Sequence, residues 1–107
     1  DPTARWILDN RHQDSATELA IGYMSPNGEP KTAVVDRSFV DGGIRWIIDY
    51  KTAAPAVGQS DQQFLKQQVA QYQEQLQRYA RLFEEPTATP IRKALYFPLL
   101  QAIETIP

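Results

Sequence analysis

Two short runs of β-branched and aromatic residues flank a Gly-Gly pair, and this arrangement constrains the fold more than any other part of the sequence. The runs span residues 33–40 and 44–51, with Asp-Gly-Gly at 41–43 between them. Glycine tolerates the positive φ angles that a two-residue hairpin loop needs, so the sequence predicts an antiparallel hairpin closing on this loop. In the register that such a loop imposes, Asp36 lies directly opposite Asp49.

Two facing aspartates need something that offsets their repulsion. Directly opposed residues of an antiparallel pair have Cβ atoms about 4.5 to 5.5 Å apart, so like charges there destabilise the sheet. A divalent cation between the carboxylates would relieve this, because hard cations such as Mg²⁺ prefer oxygen ligands. Lys51 projects from the same strand face as Asp49, while Tyr50 points away. Two carboxylates and one amine are the groups that metal-assisted phosphodiester hydrolysis needs.

An ordinary protein surface also accounts for this spacing. Asp36 would then be a solvated residue on an exposed sheet face, and Asp49 with Lys51 would be a common surface ion pair. The apolar residues 46–48 instead predict a strand that is covered on both faces, as in the centre of a sheet. Charges within such a strand are costly unless they are paired or bind a metal, which favours the site.

Composition limits the class of protein. A chain of 107 residues, 42% hydrophobic and 22% charged, is long enough for one globular domain with a single core. The net charge of −2 provides no overall positive field, so any contact with DNA must be local. The absence of cysteine excludes disulfides, thiolate zinc sites and cysteine-ligated iron–sulfur clusters in this chain, and it fits a cytoplasmic protein. No apolar run is long enough for a membrane span, so we expect no membrane partner.

The remaining elements predict an α+β fold with a mixed central sheet of about four strands and one long helix after the third strand. Residues 18–24 alternate as a first strand, the hairpin supplies the second and third, and residues 93–98 form a final strand. Residues 61–84 carry apolar side chains at three- and four-residue spacing, which predicts a long amphipathic helix. Residues 84–90 then read as a turn. We therefore expect a single domain over residues 1–107, with its core between about 18 and 98.

Three motifs in this order resemble the nuclease domain of the PD-(D/E)xK superfamily. They are Val-Val-Asp-Arg around Asp36, Trp-Ile-Ile-Asp-Tyr-Lys-Thr around Asp49, and Gln-Leu-Gln-Arg-Tyr-Ala at residues 75–80. The similarity is to the RecB- and AddA-type domains at the C-terminus of superfamily-1 helicases, and it covers most of the predicted core.

The resemblance implies a role for each matching residue. By this resemblance the metal ligands are Asp36, Asp49 and the main-chain carbonyl of Tyr50, and the catalytic residues are Asp36, Asp49 and Lys51. Gln75 and Tyr79 match the Q-x-x-x-Y motif, whose side chains line the active site and contact DNA or order the catalytic groups. Positions i and i+4 share one helical face, which makes sense of this spacing. A glutamine beside a core tyrosine would show the same spacing.

The resemblance also implies an activity and partners. The activity is Mg²⁺-dependent cleavage of DNA, with Mn²⁺ able to replace Mg²⁺, and no iron–sulfur cluster is expected because the cysteines that hold one in some relatives are missing. The partners are DNA, the motor domains of an ATP-dependent helicase in a longer parent chain, and a second nuclease or helicase subunit, acting in recombination and double-strand-break repair. The alternative is a nuclease-like module that no longer cuts and serves DNA binding or subunit docking.

RecB-type nucleases also use a histidine from a helix before the sheet. The only histidine here, His12, follows the short apolar segment Trp6-Ile7-Leu8 in a polar stretch. We expect a surface loop residue there and assign it no role. The chain begins with Asp1 rather than Met, so we expect a piece of a longer chain that lacks the first core helix. On that expectation this chain alone would bind metal weakly and cleave poorly.

Overall fold

The computed structural model describes residues 1–84 and 89–107, in which two helices and five strands form an α+β fold. In chain order the elements are α1 (Pro2–Leu8), β1 (Gln13–Met24), β2 (Pro30–Asp41), β3 (Ile44–Tyr50), α2 (Asp61–Arg81), β4 (Ile91–Phe97) and β5 (Ala102–Ile106). One mixed sheet contains all five strands in the order β1-β2-β3-β4-β5. Only β3 and β4 pair in parallel, since α2 carries the chain back across the sheet between them. The α+β class predicted from the sequence is confirmed.

The hairpin of β2 and β3 closes on Gly42-Gly43 in the predicted register. Both glycines have positive φ, 58° and 77°. The pairing runs unbroken from this loop to Arg37 opposite Ile48. Asp36 and Asp49 are the next residues on their strands, so the hairpin brings them to the same place in the sheet.

The sheet is covered on both sides, and β3 accordingly carries apolar side chains on both of its faces. Helix α2 packs on one side, over a cluster whose buried members are Val35, Ile47, Phe64, Leu76, Leu95, Phe97 and Ile106. On the other side, the α1 side, the buried cluster consists of Ile7, Phe39, Ile48, Ala94 and Tyr96. Ile47 and Ile48 therefore point in opposite directions, and both are 0% exposed. The central, covered strand that the sequence predicted is confirmed.

Helix α2 begins at a capping box. The Ser60 hydroxyl accepts a hydrogen bond from the Gln63 N–H at 3.1 Å, and the Gln63 side chain accepts one from the Ser60 N–H at 3.2 Å. The helix ends at Arg81, slightly earlier than the periodicity predicted. Most of the turn expected over 84–90 falls on residues 85–88, outside the described residues. In the described part of the chain neither helix is long and apolar enough to cross a membrane.

Two described elements go beyond the sequence-based expectation. Helix α1 lies ahead of the sheet, where the sequence predicted no helix, with Asp1 as N-cap accepting from the Thr3 N–H at 3.0 Å and Pro2 in the first turn. Its seven residues are too few to show a helical period. Strand β5 adds a fifth strand at the edge beside β4, and at five residues it is likewise too short to stand out.

Strand β1 is longer than its alternating pattern indicated, because two residues interrupt the alternation. It begins at Gln13 rather than at residue 18. Asp14 and Glu18 have positive φ, 50° and 51°, and the pairing with β2 shifts between Gln13 and Ala16. Such irregularities change which face a side chain occupies, so period two fails there.

Candidate active site

The carboxyl groups of Asp36 and Asp49 come together on the α2 side of the sheet. Asp49 shares a strand face with Ile47, whose side chain packs under α2. Asp49 is buried, with 8% of its surface exposed, whereas Asp36 is half-buried. The Asp36 Oδ2 atom accepts a hydrogen bond from the Tyr50 N–H at 2.8 Å, so this side chain reaches across to the backbone of β3. The juxtaposition that the hairpin register predicted is present.

The environment of Asp49 opposes its ionisation. Burial is the main reason why the pKa of Asp49 rises from 3.8 to about 6, and the adjacent Asp36 carboxyl raises it further through hydrogen bonding and charge. The Lys51 ammonium acts in the opposite direction. Loss of water and a nearby like charge both disfavour the charged form of an acid. Asp49 therefore ionises at a higher pH than an exposed aspartate, and its charge then lies beside a second carboxyl group.

Lys51 contacts Asp49 from just beyond the end of β3. Its Nζ atom lies 2.8 Å from Asp49 Oδ2, with the two side chains only 19% and 12% exposed. Its N–H donates to the Tyr96 carbonyl on β4 at 2.9 Å, which fixes the backbone at this point. On the helix side, the ammonium lies 3.6 Å from the centre of the Tyr72 ring. An exposed surface ion pair is therefore wrong as a description of Asp49 and Lys51.

Gln75 and Tyr79 contact each other on α2. The Gln75 Nε2 atom donates to the Tyr79 hydroxyl at 2.8 Å, and both side chains are half-buried. Tyr79 packs against the cluster beneath α2. Their predicted role in shaping the site stays a prediction, since the helical residue in contact with Lys51 is Tyr72.

Tyr72 lies within the amphipathic helix that the sequence predicts over residues 61–84, and the sequence motifs assign it no role. A signal for its position was present, however, in its spacing. Residues three and four apart lie on one helical face, so Tyr72 shares a face with Gln75 and, one turn further, with Tyr79.

His12 lies on the other side of the sheet from the acids. Its ring stacks on Phe39 with 4.1 Å between ring centres, and its Nε2 atom lies 2.6 Å from the Trp6 carbonyl oxygen. Phe39 belongs to the α1-side cluster. The histidine lies in the loop between α1 and β1, as predicted, but it is half-buried rather than a surface residue. Its position gives it no contact with the candidate site.

Arg37, the neighbour of Asp36 in sequence, serves the scaffold. It is 1% exposed. Its guanidinium donates to the carbonyls of Ile7 at 2.7 Å and Asp9 at 2.9 Å, and to the Thr17 hydroxyl at 3.0 Å. These bonds fasten the end of α1 and the following turn to β2. Within the Val-Val-Asp-Arg motif, the acid therefore belongs to the candidate site and the arginine to the opposite side of the sheet.

The donor atoms at the site suit a hard divalent cation. Mg²⁺ is usually held by one or two carboxylates together with other oxygen ligands. Asp36 and Asp49 supply two such groups in contact, and the Asp36 carboxyl is, after burial, the second cause that raises the pKa of Asp49. The main-chain carbonyl of Tyr50 stays a predicted ligand. Among the residues that the structure describes, no cluster of three or more His, Cys, Asp or Glu side chains is arranged to hold a metal.

Comparison of the sequence with protein-family models and with curated proteins found no match. The likeness to PD-(D/E)xK nucleases therefore rests on the three sequence motifs and stays a prediction.

Proposed function

We propose that this chain is the nuclease domain of a helicase–nuclease and hydrolyses phosphodiester bonds of DNA with Mg²⁺ or Mn²⁺. The observation that carries the proposal is the meeting of two carboxyl groups from neighbouring strands with an ammonium 2.8 Å from one of them. Burying like charges together opposes folding, so a fold selected for stability alone would avoid it. Ionisable groups with perturbed pKa values cluster at functional sites for this reason.

In this proposal the acidic and the basic residues have different roles. Asp36, Asp49 and the Tyr50 carbonyl would hold the cation, which when bound would supply an activated water and neutralise charge on the scissile phosphate. Lys51 carries the positive charge of the site and stabilises the negative charge that develops on the phosphate oxygens in the transition state. Its ion pair with Asp49 keeps it within reach of a phosphate that approaches the acids.

The overall charge of the chain implies that a partner delivers the substrate. A net charge of −2 does not attract DNA, so the strand has to be brought to the site. The proposal therefore includes the motor domains of an ATP-dependent helicase and a second nuclease or helicase subunit as partners. The cell compartment in this proposal is the cytoplasm, and the processes are DNA recombination and double-strand-break repair.

Cleavage of labelled single-stranded DNA by the longer parent protein, which includes the motor domains, tests the proposal, because this chain alone is expected to cleave poorly. We expect cleavage with Mn²⁺ or Mg²⁺ and none with EDTA. Asp49→Ala and Lys51→Ala should each lower the rate by roughly 100-fold or more, because each removes a charge that acts on the transition state. Glu74→Ala, which removes an exposed carboxylate from α2, is the matched control. Undiminished cleavage by Asp49→Ala would refute these roles.

Calorimetric titration of the longer parent protein with Mn²⁺ separates a cutting domain from a nuclease-like module that serves DNA binding or subunit docking. A nuclease site binds Mn²⁺, and Asp36→Asn or Asp49→Asn abolishes that binding while Glu74→Ala does not. A docking module neither binds Mn²⁺ measurably nor cuts DNA. That combination of results would replace the proposed activity with subunit docking.

A further inference from the structure

Tyr72 makes a contact with Lys51 that the sequence motifs do not assign. The Lys51 Nζ atom lies 3.6 Å from the centre of the Tyr72 ring. This is well inside the limit of about 6 Å for attraction between an ammonium and an aromatic face. Both side chains are half-buried between the sheet and α2, and partial exclusion of water strengthens such a contact.

We propose that Tyr72 is a positioning residue that holds the Lys51 ammonium in place through the face of its ring. The ammonium of a lysine is carried on a flexible four-carbon stem. One ion pair with Asp49 therefore fixes the distance between the two charges but not the direction from which the ammonium approaches. The ring is a second point of contact from the opposite element, α2. Together the two contacts define where the ammonium stands relative to the carboxyl groups.

An aromatic face suits this task better than another acid would. A further carboxylate would neutralise the ammonium and add negative charge where a phosphate has to approach. The ring attracts the cation through its quadrupole and carries no net charge. Lys51 therefore keeps its positive charge available to the phosphate. For cleavage this role depends on the proposed function, whereas the contact itself does not.

The hydroxyl of Tyr72 takes no part in the contact. It lies 3.4 Å from the Gln71 Nε2 atom on the exposed side of the helix. The ring face is the working part of the side chain. Tyr72→Phe should therefore behave like the wild type, and Tyr72→Leu, which keeps apolar bulk against the core, should not.

Nuclear magnetic resonance of Lys51 tests the contact without reference to activity. Protons close to a ring face are shifted upfield, so the Lys51 Hε resonances should lie upfield in the wild type and in Tyr72→Phe. In Tyr72→Leu they should return toward the values of an exposed lysine. Tyr23→Leu, which removes a half-buried tyrosine on β1, is the control and should leave them in place. Unmoved Lys51 resonances in a folded Tyr72→Leu protein would overturn the inference.

Steady-state cleavage by the longer parent protein with saturating Mn²⁺ tests the positioning role. We expect Tyr72→Leu to lower kcat by roughly 3- to 30-fold, the range that such a contact supports, with little change in KM. Tyr72→Phe should keep the wild-type kcat. An unchanged kcat in Tyr72→Leu would overturn the role in cleavage. If the wild type itself does not cleave, the proposed function fails, and the resonance experiment still decides whether the ring holds the lysine.

Discussion

Replacing Asp49 with asparagine should stabilise the protein above neutral pH while disabling the site. Asparagine has nearly the same shape but carries no charge. In the folded wild type, burial first and the Asp36 carboxyl second raise the pKa of Asp49 from 3.8 to about 6. The unfolded chain imposes neither effect. Between these two pH values the folded protein holds a proton that the unfolded chain releases, so the free energy of unfolding falls as the pH rises.

The magnitude follows from the size of this change. Raising the pKa from 3.8 to about 6 corresponds to about 3 kcal/mol, and Asp49 is only 8% exposed, so solvent screens its charge little. Most of this change in the free energy of unfolding occurs between pH 4 and pH 8. Over that range the wild type should lose about 2 kcal/mol of stability through Asp49. The ion pair with Lys51 is already contained in this figure, because it acts on the same pKa. The advantage of Asp49→Asn over the wild type should therefore grow by about 2 kcal/mol over the same range.

Urea unfolding in EDTA, followed by tryptophan fluorescence at several pH values from 4 to 8, measures this difference. Glu74→Gln is the control, because it removes one carboxylate from an exposed position, and its stability relative to the wild type should not follow the same curve. An Asp49→Asn protein no more stable than the wild type at pH 8, or a difference that is constant with pH, would refute the reasoning. When Mn²⁺ replaces EDTA, the wild type should become more stable and Asp49→Asn should not, since only a ligand that binds the folded state raises its stability.

Two further predictions concern the α1 side of the sheet. Arg37→Lys should lower the free energy of unfolding by about 2 to 4 kcal/mol. One ammonium cannot reach the carbonyls of Ile7 and Asp9 and the Thr17 hydroxyl together, so it leaves buried acceptors unpaired. Urea titration measures this loss, and a loss below about 1 kcal/mol would contradict the prediction. Tyr50→Phe should raise the melting temperature, because the Tyr50 hydroxyl is buried without a hydrogen-bond partner in the described structure and its removal relieves a desolvation cost of about 1 kcal/mol. A lower melting temperature in Tyr50→Phe would show that this hydroxyl is satisfied.

Much of the candidate site was predictable from local rules. Gly42-Gly43 fixed the loop length, and the loop length fixed the register that brings Asp36 to Asp49. The alternation of side chains along a strand put Lys51 on the face of Asp49. Each of these rules joins residues close in sequence or paired through a short turn.

Other parts of the fold escaped sequence reasoning because their signals are weak or interrupted. Helix α1 and strand β5 are too short for a period to be visible. The start of β1 was hidden by the positive φ angles of Asp14 and Glu18. Where the backbone departs from a regular strand, the side-chain pattern no longer reports which face is buried.

The sequence by itself determined which side chains share a strand or helix face. Asp36, Asp49 and Lys51 share one face of the hairpin, and Gln75 and Tyr79 share one face of α2. Only the tertiary structure decided how those faces meet, with Tyr72 against Lys51 and His12 on the far side of the sheet. The physical reason is that turn geometry and side-chain period act over a few residues. The docking of α2 on β3 instead depends on how the apolar surfaces of the whole sheet and the helix fill space together.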